Sequence, residues 1–106
     1  MSAFVDVRAK AAFAPDKMRK NNLFDSERMF CDVYCFEPGQ SQTAHAHAGS
    51  DKIYYVIEGI ADVQIGSETR RLAAGEAGHA APSEPHGVTN PGPDRLLMLV
   101  FMAPKP

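Results

Sequence analysis

The feature that most limits what this chain can fold into is its punctuation. Short apolar runs alternate with Gly, Pro, Ser and Asn clusters at intervals of roughly 8–12 residues, the rhythm of β-sandwiches and barrels. The breakers are Pro38-Gly39, Glu58-Gly59, Gly66-Ser67, Ala74-Gly75, Ser83-Glu84-Pro85 and Asn90-Pro91-Gly92-Pro93. Between them the sequence predicts strands over Ala3–Val7, Met29–Phe36, Lys52–Ile57, Ala61–Ile65, Glu68–Leu72, Gly78–Ala81, Gly87–Asn90 and Leu96–Met102. Ala61, Val63 and Ile65 alternate with Asp62 and Gln64, so that strand has one wet face. Leu96–Met102 shows no alternation and is expected to be covered on both faces, by the core or by another subunit. Only Asp16–Phe24 reads as helical, with Pro15 suited to a first turn and Asp16 to an N-terminus.

A chain of 106 residues makes one domain with one modest core, which a partner subunit would help to stabilise. The net charge of −2, with no long Lys or Arg run, gives no electrostatic reason to expect nucleic acid or an anionic membrane as partner. The longest apolar run, Leu96 to Ala103, is eight residues, short of the roughly 18 that span a bilayer. The first residues, MSAFVDVRAK, contain Asp6 and no apolar stretch, so they do not read as a secretory signal. Cys31 and Cys35 share one face of a strand about 13 Å apart, beyond the roughly 7 Å a disulfide allows. Free thiols in a reducing cytoplasm are therefore expected.

Chemistry gathers around four histidines. In extended backbone His45 and His47 project to one side, about 6.6 Å apart along the chain. Two imidazoles so placed can converge on one ion at about 2.0–2.1 Å each. The spacing alone fits a metal-binding pair and a surface pair equally well. The stretch GEAGHAAPSEPHGVTN, residues 75–90, adds a Gly turn, a short strand, a Pro-bearing loop and His86. No glycine-rich phosphate loop and no GxSxG elbow is present.

Together these two stretches resemble the cupin superfamily. Its first motif is G-x5-H-x-H-x3,4-E-x6-G, and Gly39, His45, His47 and Gly59 fall at that spacing. Its second motif is G-x5-P-x-G-x2-H-x3-N, and Gly75, His86 and Asn90 keep their separations. The resemblance covers roughly residues 29 to 102. It implies an all-β double-stranded β-helix, a jelly-roll barrel of about eight strands spanning residues 29–106. Residues 1–28 form an N-terminal extension that is expected to cross to a second subunit of a homodimer. The implied metal ligands are His45, His47 and His86, around a divalent ion: Fe, Ni, Zn, Cu or Mn. Asn90 is expected to brace its loop, and His79 to lie in the core or at the rim.

Two departures matter. Lys52 stands where the family has its glutamate, and an ammonium has no lone pair to give. Asp51 has the right chemistry but sits one residue out of phase, so it joins the site only if the loop Ala48-Gly49-Ser50 bulges. Without it the site resembles the three-histidine centres of cupin dioxygenases. The second departure is a proline one place late, at Pro82, with Glu84-Pro85 where a Gly-bearing turn is usual. Pocket candidates are Phe36, Gln64, Met98, Phe101 and one of Tyr54 and Tyr55, since neighbours in a strand point opposite ways.

These residues suggest a cytoplasmic metalloenzyme of the dioxygenase type acting on a small organic molecule. A non-catalytic module that binds metal or a small molecule is the alternative. A sugar-isomerase type would need a basic pocket, for which Lys52 and Arg95 are the obvious contributors.

Overall fold

The computed structural model describes residues 2–106. Among them run nine strands: β1 (Arg19–Asp25), β2 (Phe30–Phe36), β3 (Ser41–His45), β4 (Asp51–Glu58), β5 (Ile60–Ile65), β6 (Glu68–Ala73), β7 (Ala77–Ala80), β8 (His86–Thr89) and β9 (Leu96–Ala103). They form a five-stranded sheet, β1-β2-β9-β4-β7, facing a four-stranded sheet, β3-β8-β5-β6, all pairs antiparallel. This is the expected all-β jelly roll.

The layers follow from alternation. In β2, Tyr34 and Phe36 face inward, where Tyr54 and Val56 of β4, Met98 and Val100 of β9, and Val63 and Val88 of the opposite sheet meet them. Val33 and Cys35 face outward with Leu97 of β9, and the N-terminal segment lays Val7, Ala11 and Phe13 over them. Each such apolar side chain contributes about 1.5–3 kcal/mol when fully buried. The missing alternation of Leu96–Met102 is thus explained at its first half within one chain. Leu96 and Met98 fill the interior and Leu97 lies under the chain's own N-terminal segment. Arg95 fastens that segment by stacking over the Phe13 ring at 4.4 Å while pairing with Glu37 at 2.9 Å.

Two local expectations are corrected. Asp16–Phe24 is not a helix; from Arg19 it is β1, paired along β2 from Arg19↔Cys35 to Asp25↔Phe30. Met18 packs into the interior and Leu23 onto the outer face, a split that alternation produces and one helical stripe does not. The paired Asn21 and Asn22 also weaken any helix there. Ala3–Val7 is not a strand either. The Asp6 carboxylate accepts from the N–H groups of Arg8 (3.1 Å) and Ala9 (3.2 Å), and a short 3-10 turn follows at Arg8–Lys10. Such a side-chain bond offers the backbone an alternative to sheet pairing.

One strand carries the site and was hidden by its polarity: β3, sequence SQTAH. It pairs with β8 as Gln42↔Val88 and His45↔His86, so three steps on β3 match two on β8. This bulge resets parity, turning both Gln42 and His45 inward. Gly87 lies against it. A Cβ there would stand 2.9 Å from the Gln42 carbonyl oxygen and 3.0 Å from the Ala44 Cα and N. Gly87→Ala is therefore expected to cost about 1–3 kcal/mol, lowering the midpoint of thermal unfolding by roughly 4–8 °C per kcal/mol. Circular dichroism melts of the two proteins check this, and an unchanged midpoint would show the bulge to be slack.

Candidate metal centre

His45 ends β3, His47 lies two residues beyond it, and His86 opens β8. Their rings pack against one another, with centroids 4.4 Å apart for His45 and His86, 4.9 Å for His45 and His47, and 5.6 Å for His47 and His86. One nitrogen from each ring lies within 4.8 Å of the other two. Nitrogens sharing one ion at about 2.0–2.1 Å stand no more than about 4.2 Å apart, so only a small closure separates these rings from ligation.

The hydrogen bonds set the ring tautomers. His45 Nδ1 lies 2.9 Å from the Thr43 carbonyl, and His86 Nδ1 lies 2.9 Å from the Glu84 carbonyl. A carbonyl only accepts, so each Nδ1 donates and each Nε2 keeps its lone pair. His86 Nε2 is the one buried side-chain polar atom without a partner among the described residues. A buried acceptor left unsatisfied costs about 1–3 kcal/mol, and a cation beside it removes that cost. Imidazole anchored through one nitrogen and open at the other is the usual form of a metal-ligating histidine. On these grounds the three residues fit a divalent ion.

Electrostatics favour the neutral form of two of the rings. Burial, then the charges of His45, Lys52 and Lys20, hold His47 below the ordinary imidazole range. Burial does the same to His86, against the bond to Glu84 and with further help from Lys52, His45 and His47. Lys52 itself points inward from β4 and is 1% exposed. Its ammonium lies 5.3 Å from the Tyr34 ring centroid and 5.1 Å from that of Tyr54. Burial, then the charge of Lys20, lowers it to about 8 against the pull of Asp32.

The other residues singled out by sequence divide by parity. Tyr54 faces inward, its ring 6.1 Å from His86; Tyr55 is turned to the outside and exposed. Phe36 and Met98 are wholly buried in the interior cluster. Phe101 does not reach the site, because it shares with Leu97 and Leu99 the outer face of β9. Gln64 lies on the wet face of β5 and donates to the Gly66 carbonyl at 3.2 Å, so it is no pocket residue. Asp51 does not join the histidine cluster. It is one residue out of phase with Lys52, and it meets His79 Nε2 at 2.7 Å on the exterior; the preceding loop does not correct the phase. His79 is accordingly an exposed surface residue. Arg95 is also outside, against Phe13 and Glu37. Asn90 is buried and braces its loop, donating to the carbonyls of Phe36 (3.1 Å) and Asp94 (2.9 Å) and accepting from the Gly92 N–H at 2.9 Å. Cys31 and Cys35 are free and buried. Burial pushes both thiols up, which leaves them poor nucleophiles.

Sequence reasoning missed Tyr34 and Gln42. The Tyr54 hydroxyl donates to Gln42 Oε1 at 3.3 Å, and Gln42 Nε2 reaches the Tyr34 hydroxyl at 3.5 Å. Tyr34 was findable as the residue two before Phe36. Gln42 was not, since the bulge hides its phase.

The cupin domain family matches residues 32–102 of this chain. The chain belongs to the cupin family. The structure of TT1209 from Thermus thermophilus is similar over 99% of this chain and 100% of that one, at 44% identity and a TM-score of 0.96. A double-stranded β-helix protein from Klebsiella pneumoniae shares the fold at 24% identity, with a TM-score of 0.91 over 98% of this cupin and 91% of that chain. Among curated relatives, the tetracenomycin polyketide synthase protein TcmJ of Streptomyces glaucescens is 38% identical over 72 residues, 65% of this chain and 48% of TcmJ. This cupin thus spans about half of TcmJ's length.

The lowered imidazole pKa values carry a pH signature. Below about pH 6.5 the unfolded chain protonates its histidines while folded His47 and His86 resist. Stability linked to these groups is complete above that pH and is lost as pH falls through it. Metal-free protein should therefore melt lower at pH 5 than at pH 7.5, and the gap should narrow in His86→Gln. Calorimetry at the two pH values reads both, and an equal gap in the variant would remove His86 from the linkage.

Proposed function

We propose that this cupin binds a divalent metal ion through His45, His47 and His86 and acts on a small organic molecule as a dioxygenase-type enzyme. The observation that carries the reading is the buried, unpartnered Nε2 of His86 beside two further imidazoles with no carboxylate among them. A divalent ion held by neutral ligands supplies its full charge to polarise a bound oxygen donor, and a redox-active one such as iron adds electron transfer.

The chain's own residues do the rest. The carbonyls of Thr43 and Glu84 fix the rings. The hydroxyls of Tyr54 and Tyr34, joined through Gln42, orient a substrate at the inner edge of the site. Val56, Met98 and Val100 behind them are fully buried and keep water from the floor. Lys52 Nζ, at about 8, is tuned to hold or release a proton near neutrality, as general acid–base catalysis requires. TcmJ, whose name places it with a polyketide synthase, is in keeping with an organic substrate.

Elemental analysis of the purified protein should find a divalent metal. His47→Ala and His86→Ala should each weaken its binding by more than about 100-fold, beyond the 10–100-fold typical of residues that only support a ligand. Asp51→Ala should bind as the parent does. Fe(II)-loaded protein should consume O2 with a member of a thiol and 1,3-diketone panel, and His47→Ala should not. Metal retained by both histidine variants would refute the site. Tight metal with no O2 uptake across the panel would move the protein to the non-catalytic binding class.

A further inference from the structure

Lys52 is out of place unless something answers its charge. Its side chain is almost wholly buried, yet it enters none of the six ion pairs among the described residues. Asp32, the buried acid whose charge Lys52 feels, makes no ion pair with it and instead accepts from Asn22 Nδ2 at 2.9 Å. Two tyrosine rings about 5 Å away stabilise an ammonium but do not neutralise it. A buried cation without a paired counter-ion is costly, and the cost falls if an anion arrives.

The surroundings lead to the same kind of ligand. Lys20 of β1 places its ammonium 5.5 Å from the Tyr34 ring centroid, so Lys20 and Lys52 share that ring. Outward from Lys20, the edge strands β1 and β3 border an open cavity of about 520 Å³ lined by Lys17, Met18, Arg19, Lys20, Ser41 and Gln42. Three of those six are cations and none is an acid. Gln42 forms the inner limit, through its bond to Tyr54, and Tyr54 abuts His86. A chain of contacts therefore links the basic cavity, through Gln42 and Tyr54, to the histidine cluster. Along it Tyr34 accepts from Gln42 and retains its own O–H to donate.

We infer that the ligand of this centre is a small organic carboxylate that enters between β1 and β3 and sets its anionic group against Lys52, with Lys20 guarding the approach. This assignment rests on the metal reading above and adds the charge of the substrate to it. The carboxylate of the ligand then supplies the paired acid that Lys52 lacks, since both the ion and the lysine are positive and the histidines bring no negative charge.

The test uses Co(II)-loaded protein, whose visible bands report changes at the metal, titrated with malonate and separately with its neutral dimethyl ester. Malonate should shift the bands saturably and the ester should not. Lys52→Met should weaken malonate by at least about tenfold, the worth of one charge-assisted hydrogen bond, while holding Co(II) no less tightly than the parent. It should also melt no lower, since it removes a buried charge. Lys20→Met, an exposed change that leaves folding intact, should weaken malonate to a smaller degree. Equal malonate affinity in both lysine variants, equal response to the ester, or no malonate binding by the Co(II) protein would overturn the inference and leave the metal reading standing. Failure of the protein to take up Co(II) would overturn the metal reading and this inference with it.

Discussion

The site depends on one irregularity in backbone pairing. Without the extra residue between Gln42 and His45, β3 would present either Gln42 or His45 to the interior, never both. With it, His45 falls opposite His86 in register, and the rings meet at 4.4 Å. The absence of a side chain at Gly87 makes room for the displaced backbone. His47 then needs only the two-residue step beyond the strand to close the triangle. A centre placed at an edge strand in this way is held by few ladder bonds on its outer side, so the carbonyl anchors at Thr43 and Glu84 fix the rings where sheet pairing alone would not.

The interior of the five-stranded sheet is built as two regions with different rules. Toward one end, Phe36, Val56, Leu96 and Met98 pack without polar atoms, which is where the folding free energy resides. Toward the other, Asp32, Lys52, Tyr34 and Tyr54 put charge and hydroxyls into a space almost closed to water. Burial moves the tyrosine protons the same way it moves the thiols: Tyr34 is pushed up to about 12, and Tyr54 is raised further still. Both therefore remain donors at any physiological pH. Lys52 is moved down by the same desolvation because its charged form is the protonated one. One physical cause thus yields two neutral hydroxyl donors and one ammonium that gives up its proton more readily than usual. An apolar residue at Lys52 would be the easier choice for stability, and proteins retain such costs mostly where they bind or react.

Much of this was legible in the residues. The breakers marked seven of the nine strands, and two spaced motifs placed three histidines at one centre. Failures trace to three causes. Where apolar content was low, as in SQTAH, the strand had no signal, and with it the bulge and Gln42 were lost. In Asp16–Phe24, a plausible start signal outweighed the alternation of Met18 and Leu23 across a strand, because propensity is local and edge pairing with β2 is not. Phe101 and Gln64 were misplaced although parity was available: Leu97 and Asp62 are their same-face neighbours, and both are directed away from the interior. The same rule correctly separates Asp51 from Lys52, and the exchange of a carboxylate for an ammonium at the centre follows from that single step.

That exchange changes the thermodynamics of the site as well as its ligand count. An inward acid would neutralise part of the ion's charge and repel an anionic ligand. An inward lysine does the reverse on both counts, weakening the cation's hold while strengthening an anion's. If the centre holds both, as proposed, ion and anion are coupled: each relieves a repulsion that the other site leaves, and by linkage each must raise the other's affinity by the same factor. The neighbouring ammonium of Lys20 extends the coupling outward to the β1–β3 cleft, where salt screens it within about 8 Å under physiological conditions. Lys52, shielded between two rings, is screened far less. On the proposed reading, the selectivity of the centre for charge would reside in the buried lysine, and the exposed cations would serve chiefly the rate of approach.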